Sequence, residues 1–293
     1  MKKAMNAFYA QSGGVTAVIN ATACGVIETS RKNKQVISNV YAGRNGIIGA
    51  LTEDMIDTNR ETKNTIHNLQ YMPGGVFGSA RYKLKGIKEN KAEYKRLIEV
   101  FKAHNIGYFF YNGGNDSMDT ANKISIMSKD MGFPIVSLGI PKTVDNDLPI
   151  TDNCPGFGSV AKYIAIPTQE AALDVASMSK TSTKVFILEV MGRHAGWIAS
   201  AAGLVKKEKA DAPHIILFPE IPFDKKRFLS KVKESIKKYD YCVIVASEGT
   251  RYKNGSFLSD TGNKDAFGHA QLGGVAPILA QMISKNLNLK YHY

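Results

Sequence analysis

Short apolar runs rich in β-branched and aromatic residues alternate with glycine or polar turns and then with helical stretches. Residues 8–11 run into Ser12-Gly13-Gly14 and an alanine-rich segment, 15–29, that reads as a helix. Residues 106–111 run into Asn112-Gly113-Gly114 and a helix over 116–128. A strand over 134–140 leads into Pro141 and a polar run ending at Asp147. A strand over 184–190 leads into Met191-Gly192-Arg193 and a helix over 194–205. Strand 214–218 precedes a helix over 224–238, strand 241–246 precedes Ser247-Glu248-Gly249, and a last helix covers 271–285. Alternation of this kind predicts an α/β protein whose sheets are mostly parallel. Val243-Ile244-Val245-Ala246 is apolar on both faces, as a central parallel strand requires.

The length of 293 residues, at roughly 150 residues per domain, suggests two domains or one large one. Asn153-Cys154-Pro155-Gly156 breaks the pattern, so domains are expected at 1–155 and 156–293. Hydrophobic residues make up 44% and charged residues 22% of the chain, too apolar for a disordered polymer. No window approaches the roughly 18 apolar residues of a membrane span. The apolar stretch after Lys2-Lys3 is too short for a signal-peptide core. Cys24, Cys154 and Cys242 are odd in number and far apart, which disfavours a disulfide framework or a zinc site and suits a reducing cytoplasm. A cytoplasmic setting without membrane attachment is the expectation.

Lysine and arginine (38) exceed aspartate and glutamate (26), a formal charge of +12. That balance favours anionic partners, whether nucleic acid, phosphorylated metabolites or polyphosphate. The densest basic stretch, 225–238, is interrupted by apolar positions and reads as a solvated helix face before it reads as a nucleic-acid groove. No nucleic-acid partner is expected.

Unusual residues collect after the strands, where open parallel sheets hold their ligands. Gly13 and Gly14 let backbone N–H groups approach an anion, and as the opening of a helix they would add its partial positive charge. The spacing is neither a P-loop nor a dinucleotide fingerprint. The glycine-rich run 71–80 ends in Arg81, whose planar fork suits phosphate. Asp116 can complement a helix dipole, and Asn115 can orient a hydrated magnesium ion through its amide oxygen. Asp145 and Asp147 offer a general base beside a metal-orienting or structural carboxylate. Lys142 can meet charge developing on a transferred phosphoryl group. Arg193 can grip a sugar phosphate where Gly192 permits close backbone approach. His194 reads either as a base or as a structural hydrogen-bonding group, and Glu248 either as an acceptor for sugar hydroxyls or as a turn acid.

Taken together, Gly113-Gly114-Asn115-Asp116-Ser117, Pro141 to Asp147 and Met191-Gly192-Arg193 resemble the phosphofructokinase family, in family order and over nearly the whole chain. The resemblance implies two Rossmann-like domains with the active site in the cleft between them: a diphosphate domain, 1–155, and a fructose 6-phosphate domain, 156–293. It implies magnesium-assisted phosphoryl transfer to fructose 6-phosphate. ATP-dependent members usually carry glycines where this chain has Asp116 and Lys142, so the pair resembles the diphosphate-dependent branch. Physically, Asp116 would place negative charge where the α-phosphate of ATP must lie. Two unit charges near 4 Å repel by roughly 1 kcal/mol in water and about 4 kcal/mol at an effective dielectric of 20.

By the same resemblance Asp145 takes the proton from the sugar 1-hydroxyl, with Asp116 and Lys142 completing the catalytic set. Gly13, Gly14 and Arg81 face diphosphate. Thr143, Asp145, Met191, Gly192, Arg193 and Glu248 contact the sugar phosphate. Lys184 stands where relatives have an arginine that reaches a neighbouring subunit's sugar phosphate, and a homodimer or homotetramer is implied. Two departures are expected to matter. Asn115 replaces the commoner magnesium-binding aspartate, and the chain stops at Tyr293 where family members continue past Gln271-Leu272-Gly273-Gly274 into a Gln-Arg motif. An ATP-dependent enzyme and a non-catalytic, truncated subunit are the alternatives.

Overall fold

A computed structural model describes residues 3–82, 84–86, 89–264 and 270–293. The chain divides into two compact units at Thr143/Val144. The segment 144–155, expected with the first domain, therefore groups with the second.

The first unit runs β1 (Met5–Gln11), α1 (Ile19–Lys32), β2 (Ile37–Gly43), α2 (Ile47–Leu51), β3 (Met55–Asp57), α3 (Lys63–Asn68), α4 (Lys91–Ala103), β4 (Ile106–Gly113), α5 (Asn115–Asp130) and β5 (Val136–Pro141). Its five strands lie in the order β3-β2-β1-β4-β5. All pairs are parallel except β2–β3. Alternation along β1 explains the layering. Phe8 and Ala10 face one core with Phe101, Phe109 and Tyr111. Ala7 and Tyr9 face the other with Ala23, Ile27 and Val40. Phe8 lies 5.4 Å from Phe101 and 6.0 Å from Phe109 between ring centroids, and burying one such ring contributes about 1.5–3 kcal/mol. The chain leaves β1 toward β2 on one side while β4 pairs on the other, so the connections diverge at the carboxyl ends of β1 and β4. Such a switch point leaves a crevice for a ligand.

The second unit runs α6 (Phe157–Met178), β6 (Val185–Val190), α7 (Trp197–Ala201), β7 (Ile215–Leu217), α8 (Lys225–Tyr239), β8 (Cys242–Ser247), β9 (Asp260–Lys264), β10 (Ala270–Leu272), α9 (Val275–Leu287) and β11 (Tyr291–His292). Four strands form a parallel sheet in the order β11-β6-β8-β7, and β9 pairs with β10 in a separate antiparallel ribbon. Every residue of β8 is buried, as its unbroken apolar run requires. Val185, Ile187, Ile244, Leu279 and Ile283 fill one face of this sheet, and Val190, Val245, Ile198 and Ala199 fill the other. Asp224 caps α8 by accepting from Arg227 N–H at 2.8 Å, which explains why that helix begins where the sequence places it. Cys24, Cys154 and Cys242 are free and buried.

The expectations differ from the structure in several places. The helix expected over 15–29 begins only at Ile19, because Thr16 Oγ1 accepts from Val18 N–H and holds a turn first. The glycine turn at Gly13-Gly14 therefore does not open a helix, and its partial charge does not come from a helix dipole. The helix expected over 194–205 contracts to α7 and a single tighter turn over 202–205. Gly274, with φ of +96°, delays α9 to Val275. The elements β2, α4 and α6 have no counterpart in the sequence reading.

Candidate active site

In the first unit β1 and β4 both end at glycine turns. Gly13 has φ of +74°, in the left-handed region that favours glycine. Its N–H donates to the Ala80 carbonyl at 3.1 Å, and its own carbonyl accepts from Ser79 Oγ at 2.7 Å. A methyl group on Gly13 would lie 3.6 Å from Lys142 Nζ, and one on Gly14 would lie 3.7 Å from Arg81 Nη2. The structure thus brings Gly13, Gly14, Arg81 and Lys142 together, with an ammonium and a guanidinium against bare backbone. Lys142 is buried, 9% exposed, so its charge acts in a medium less screened than water.

Lys142 N–H donates to the Gly113 carbonyl at 3.0 Å, which couples the Pro141–Thr143 segment to the start of α5. Gly113 fits no larger residue, since a methyl there would stand 2.1 Å from Ser117 Oγ. Ser117 Oγ donates to Ser12 Oγ at 2.8 Å, closing the two strand ends on each other. Gly114 precedes the helix with open space around it. Asn115 is exposed and Asp116 half-buried in the first turn of α5, and Thr143 is half-buried.

The fit of this set to magnesium follows from its donors. Among the described residues no group of three or more His, Cys, Asp or Glu could hold a metal alone. The Asn115 amide oxygen and the Asp116 carboxylate are hard oxygen ligands, few in number. Magnesium binds through one or two side-chain oxygens while keeping waters and substrate phosphate oxygens. The donors fit a dication that arrives with its phosphates.

The second unit carries a separate cluster at the carboxyl ends of β6 and β8. Gly192 has φ of +119°, and a methyl there would stand 2.4 Å from the Ala195 carbonyl. Its own carbonyl accepts from Ser247 Oγ at 2.5 Å. Glu248 N–H donates to the Val190 carbonyl at 2.8 Å, which sets Glu248 beside the Met191–Arg193 turn. Burial raises the Glu248 carboxyl above the ordinary glutamate value, and the charge of Glu189 adds to this. The Arg193 guanidinium and the Gly192 N–H oppose it. Met191 is 57% exposed and Arg193 half-exposed. Cation, carboxylate and bare backbone thus converge on one turn, the equipment for a phosphorylated polyol.

Two residues that the sequence reading passed over hold segments of the second unit in place. Arg251 donates from Nη2 to the Arg193 carbonyl and to His194 Nδ1, both at 3.0 Å, and stacks on the Phe257 ring at 4.7 Å. Guanidinium only donates, so His194 Nδ1 accepts, which is the structural alternative for that histidine. Asn146, with φ of +57°, accepts from Cys154 N–H at 2.7 Å and donates to the Asp152 carbonyl at 3.3 Å. It fixes the loop that follows half-buried Asp145; Asp147 is exposed.

Lys184 is not with these residues. It precedes β6, at the amino end of the sheet, and its Nζ donates to the Ser179 carbonyl at 2.7 Å. The strand's six residues separate it by about 20 Å from the carboxyl-end cluster.

The family model described as phosphofructokinase matches residues 6–292. The chain belongs to the phosphofructokinase family. Among curated relatives of this family, the pyrophosphate–fructose 6-phosphate 1-phosphotransferase of Halomonas elongata is 64% identical over 288 residues, covering 98% of this chain and 69% of its own length. The pyrophosphate-dependent phosphofructokinase of Nitrosospira multiformis, a solved structure, superposes with a TM-score of 0.85 at 60% identity, covering 98% of this chain and 68% of that one. That of Marinobacter aquaeolei gives 0.84 at 59% identity, covering 98% and 67%. The mostly parallel α/β architecture expected from the sequence is the architecture of this family.

Proposed function

We propose that this chain transfers a phosphoryl group from diphosphate to the 1-hydroxyl of fructose 6-phosphate, giving fructose 1,6-bisphosphate and phosphate, reversibly. The observation that carries the reading is the buried Lys142 ammonium set against Gly13, with Asp116 at the adjoining helix start. It is supported by 64% identity to a relative named for this reaction. The unit ending at Thr143 serves the donor and the unit beginning at Val144 the sugar phosphate.

Gly14 offers backbone to diphosphate, Gly13, whose N–H and carbonyl are bonded to Ala80 and Ser79, leaves room beside Lys142 Nζ, and Arg81 offers a fork for the donor's oxygens. Lys142 meets the charge that accumulates on the leaving phosphate. Asp116 rejects a longer polyphosphate by charge and bulk. Magnesium, held through Asn115, would neutralise donor oxygens when bound. Asp145 accepts the proton of the sugar 1-hydroxyl as that oxygen attacks phosphorus. Thr143, Met191, Gly192, Arg193 and Glu248 orient the sugar phosphate, with Arg193 gripping its phosphate and Glu248 accepting from hydroxyls. Lys184, at the far end of β6, serves the sugar phosphate of a second copy in a homodimer or homotetramer. No helix among the described residues is long and apolar enough to cross a membrane, and a cytoplasmic setting suits these metabolites.

The test is a balance of products. Supplied with magnesium, diphosphate and fructose 6-phosphate, the chain should form the bisphosphate and phosphate in equal amounts, and Asp145→Asn should abolish turnover while retaining sugar-phosphate binding. No bisphosphate from the unaltered chain, or near-normal turnover in the variant, would overturn the reading or the role of Asp145 respectively.

A further inference from the structure

Asn20, the second residue of α1, has no exposed surface. Its Oδ1 accepts from Gln11 Nε2 at 3.1 Å and from Val76 N–H at 3.0 Å. Its Nδ2 donates to the Met72 carbonyl at 2.9 Å. One buried amide thereby ties the last residue of β1 to both ends of the run Met72-Pro73-Gly74-Gly75-Val76. That run brings little packing of its own, since Met72 and Val76 are exposed and the residues between them are proline and glycine. Farther along, the same loop closes on the donor turn. Ser79 Oγ donates to the Gly13 carbonyl, Ala80 accepts from Gly13 N–H, and Arg81 comes against Gly14.

We propose that Asn20 is a positioning residue for the phosphoryl donor, holding the glycine-rich loop so that Arg81 and the Gly13 turn present one rigid anion site. The inference rests on the diphosphate reading above. Chemistry favours asparagine at this point, because a single planar amide supplies an acceptor to two donors and a donor to a carbonyl. Aspartate would set a carboxylate oxygen against the Met72 carbonyl, and leucine would leave a buried N–H and a buried carbonyl without partners. The loop fits closely from the other side too: a methyl on Gly75 would stand 2.9 Å from Gln11 Oε1 and 3.0 Å from Val15 Cγ1. Gly75 is thus an independent handle on the same register.

Asn20→Ser and Gly75→Ala, each in the whole chain, test this. Thermal unfolding checks the fold, calorimetry measures diphosphate and fructose 6-phosphate binding, and kinetics gives KM for each. In both variants donor affinity and diphosphate KM should weaken about tenfold, the scale of one net hydrogen bond. Kcat and the sugar-phosphate KM should stay within about twofold, as for a distant independent site. Unchanged diphosphate affinity in either folded variant overturns the proposal. An equal loss of both ligands, or unfolding of both variants, assigns the network to stability alone and also overturns it. An unaltered chain that binds no diphosphate sinks the donor reading itself, a result distinct from any of these.

Discussion

Gly249 lies hard against the main chain of Arg193: a methyl on Gly249 would stand 2.0 Å from the Arg193 carbonyl oxygen. That same oxygen accepts from Arg251 Nη2 at 3.0 Å. The three atoms nearest such a methyl all belong to the Arg193 main chain rather than to a flexible side-chain end, so Gly249→Ala must push the Arg193 turn. Overpacking of this kind costs about 1–3 kcal/mol. The expected result is a lower Tm and a fructose 6-phosphate KM raised by about tenfold or more, with diphosphate KM little altered. A variant with an unchanged sugar-phosphate KM would separate Arg193 from substrate binding.

Glu248 gives a pH dependence whose sign is set by burial. Its carboxyl titrates above the ordinary glutamate range, chiefly from desolvation. As pH falls, the carboxylate needed to accept sugar hydroxyls is therefore lost earlier than for an exposed glutamate. Sugar-phosphate KM should rise on acidification from just above that range, and Glu248→Gln should flatten the rise. Stability runs the other way. A carboxyl whose folded value lies above its unfolded value destabilises the fold once ionised, a penalty that starts to fall as pH drops through the folded value and is gone below the unfolded one. Glu248→Gln should raise Tm at neutral pH and leave it unchanged in acid. Thermal melts across pH read the difference.

His214 supplies an acid-labile contact away from both clusters. Val243 N–H donates to His214 Nδ1 at 3.0 Å, so the imidazole must be neutral. Burial, and after it the charge of Lys206, push its value down to about 4. The folded chain then binds fewer protons than the unfolded chain between about 4 and the ordinary 6.5. Stability contributed by the neutral ring is complete above 6.5 and is lost as pH falls toward about 4. His214→Gln, which keeps an acceptor and cannot charge, should reduce the acid-induced fall in Tm over that window.

The strands were legible because their packing leaves a local signature. β1, β4 and β8 read directly from apolar runs ended by glycine. Helix α6 did not, because Pro167 interrupts it and Tyr163, Ile166 and Leu173 remain on its exposed side, so no clean polar face marks it. The strand exits that carry the candidate residues were legible, and the register of 184–190 already put Lys184 at the opposite end. The late start of α1 was not, since it depends on the Thr16 side chain turning back on the backbone. Asn20 was passed over as one residue of an alanine-rich helix. Its loop partners lie 52 and 56 residues away in sequence, and no local pattern carries such a bond. Arg251 was missed for the same reason, its contact with Arg193 spanning 58 residues.

Asp116 is the residue expected to decide which donor enters. Asp116→Gly removes a carboxylate from the first turn of α5 and should raise ATP affinity by at least about tenfold, within the roughly thousandfold that a 4 kcal/mol repulsion allows. Titration of the variant with ATP by calorimetry checks this, and unchanged affinity would remove the charge argument.

In the proposed reaction an acid and a buried ammonium together select diphosphate. The most direct measurement of this selection is kcat/KM for diphosphate and for ATP on the unaltered chain, with fructose 6-phosphate and magnesium saturating. Turnover with diphosphate and a preference over ATP of at least about a hundredfold are expected. Equal use of the two donors, or use of ATP alone, would contradict it.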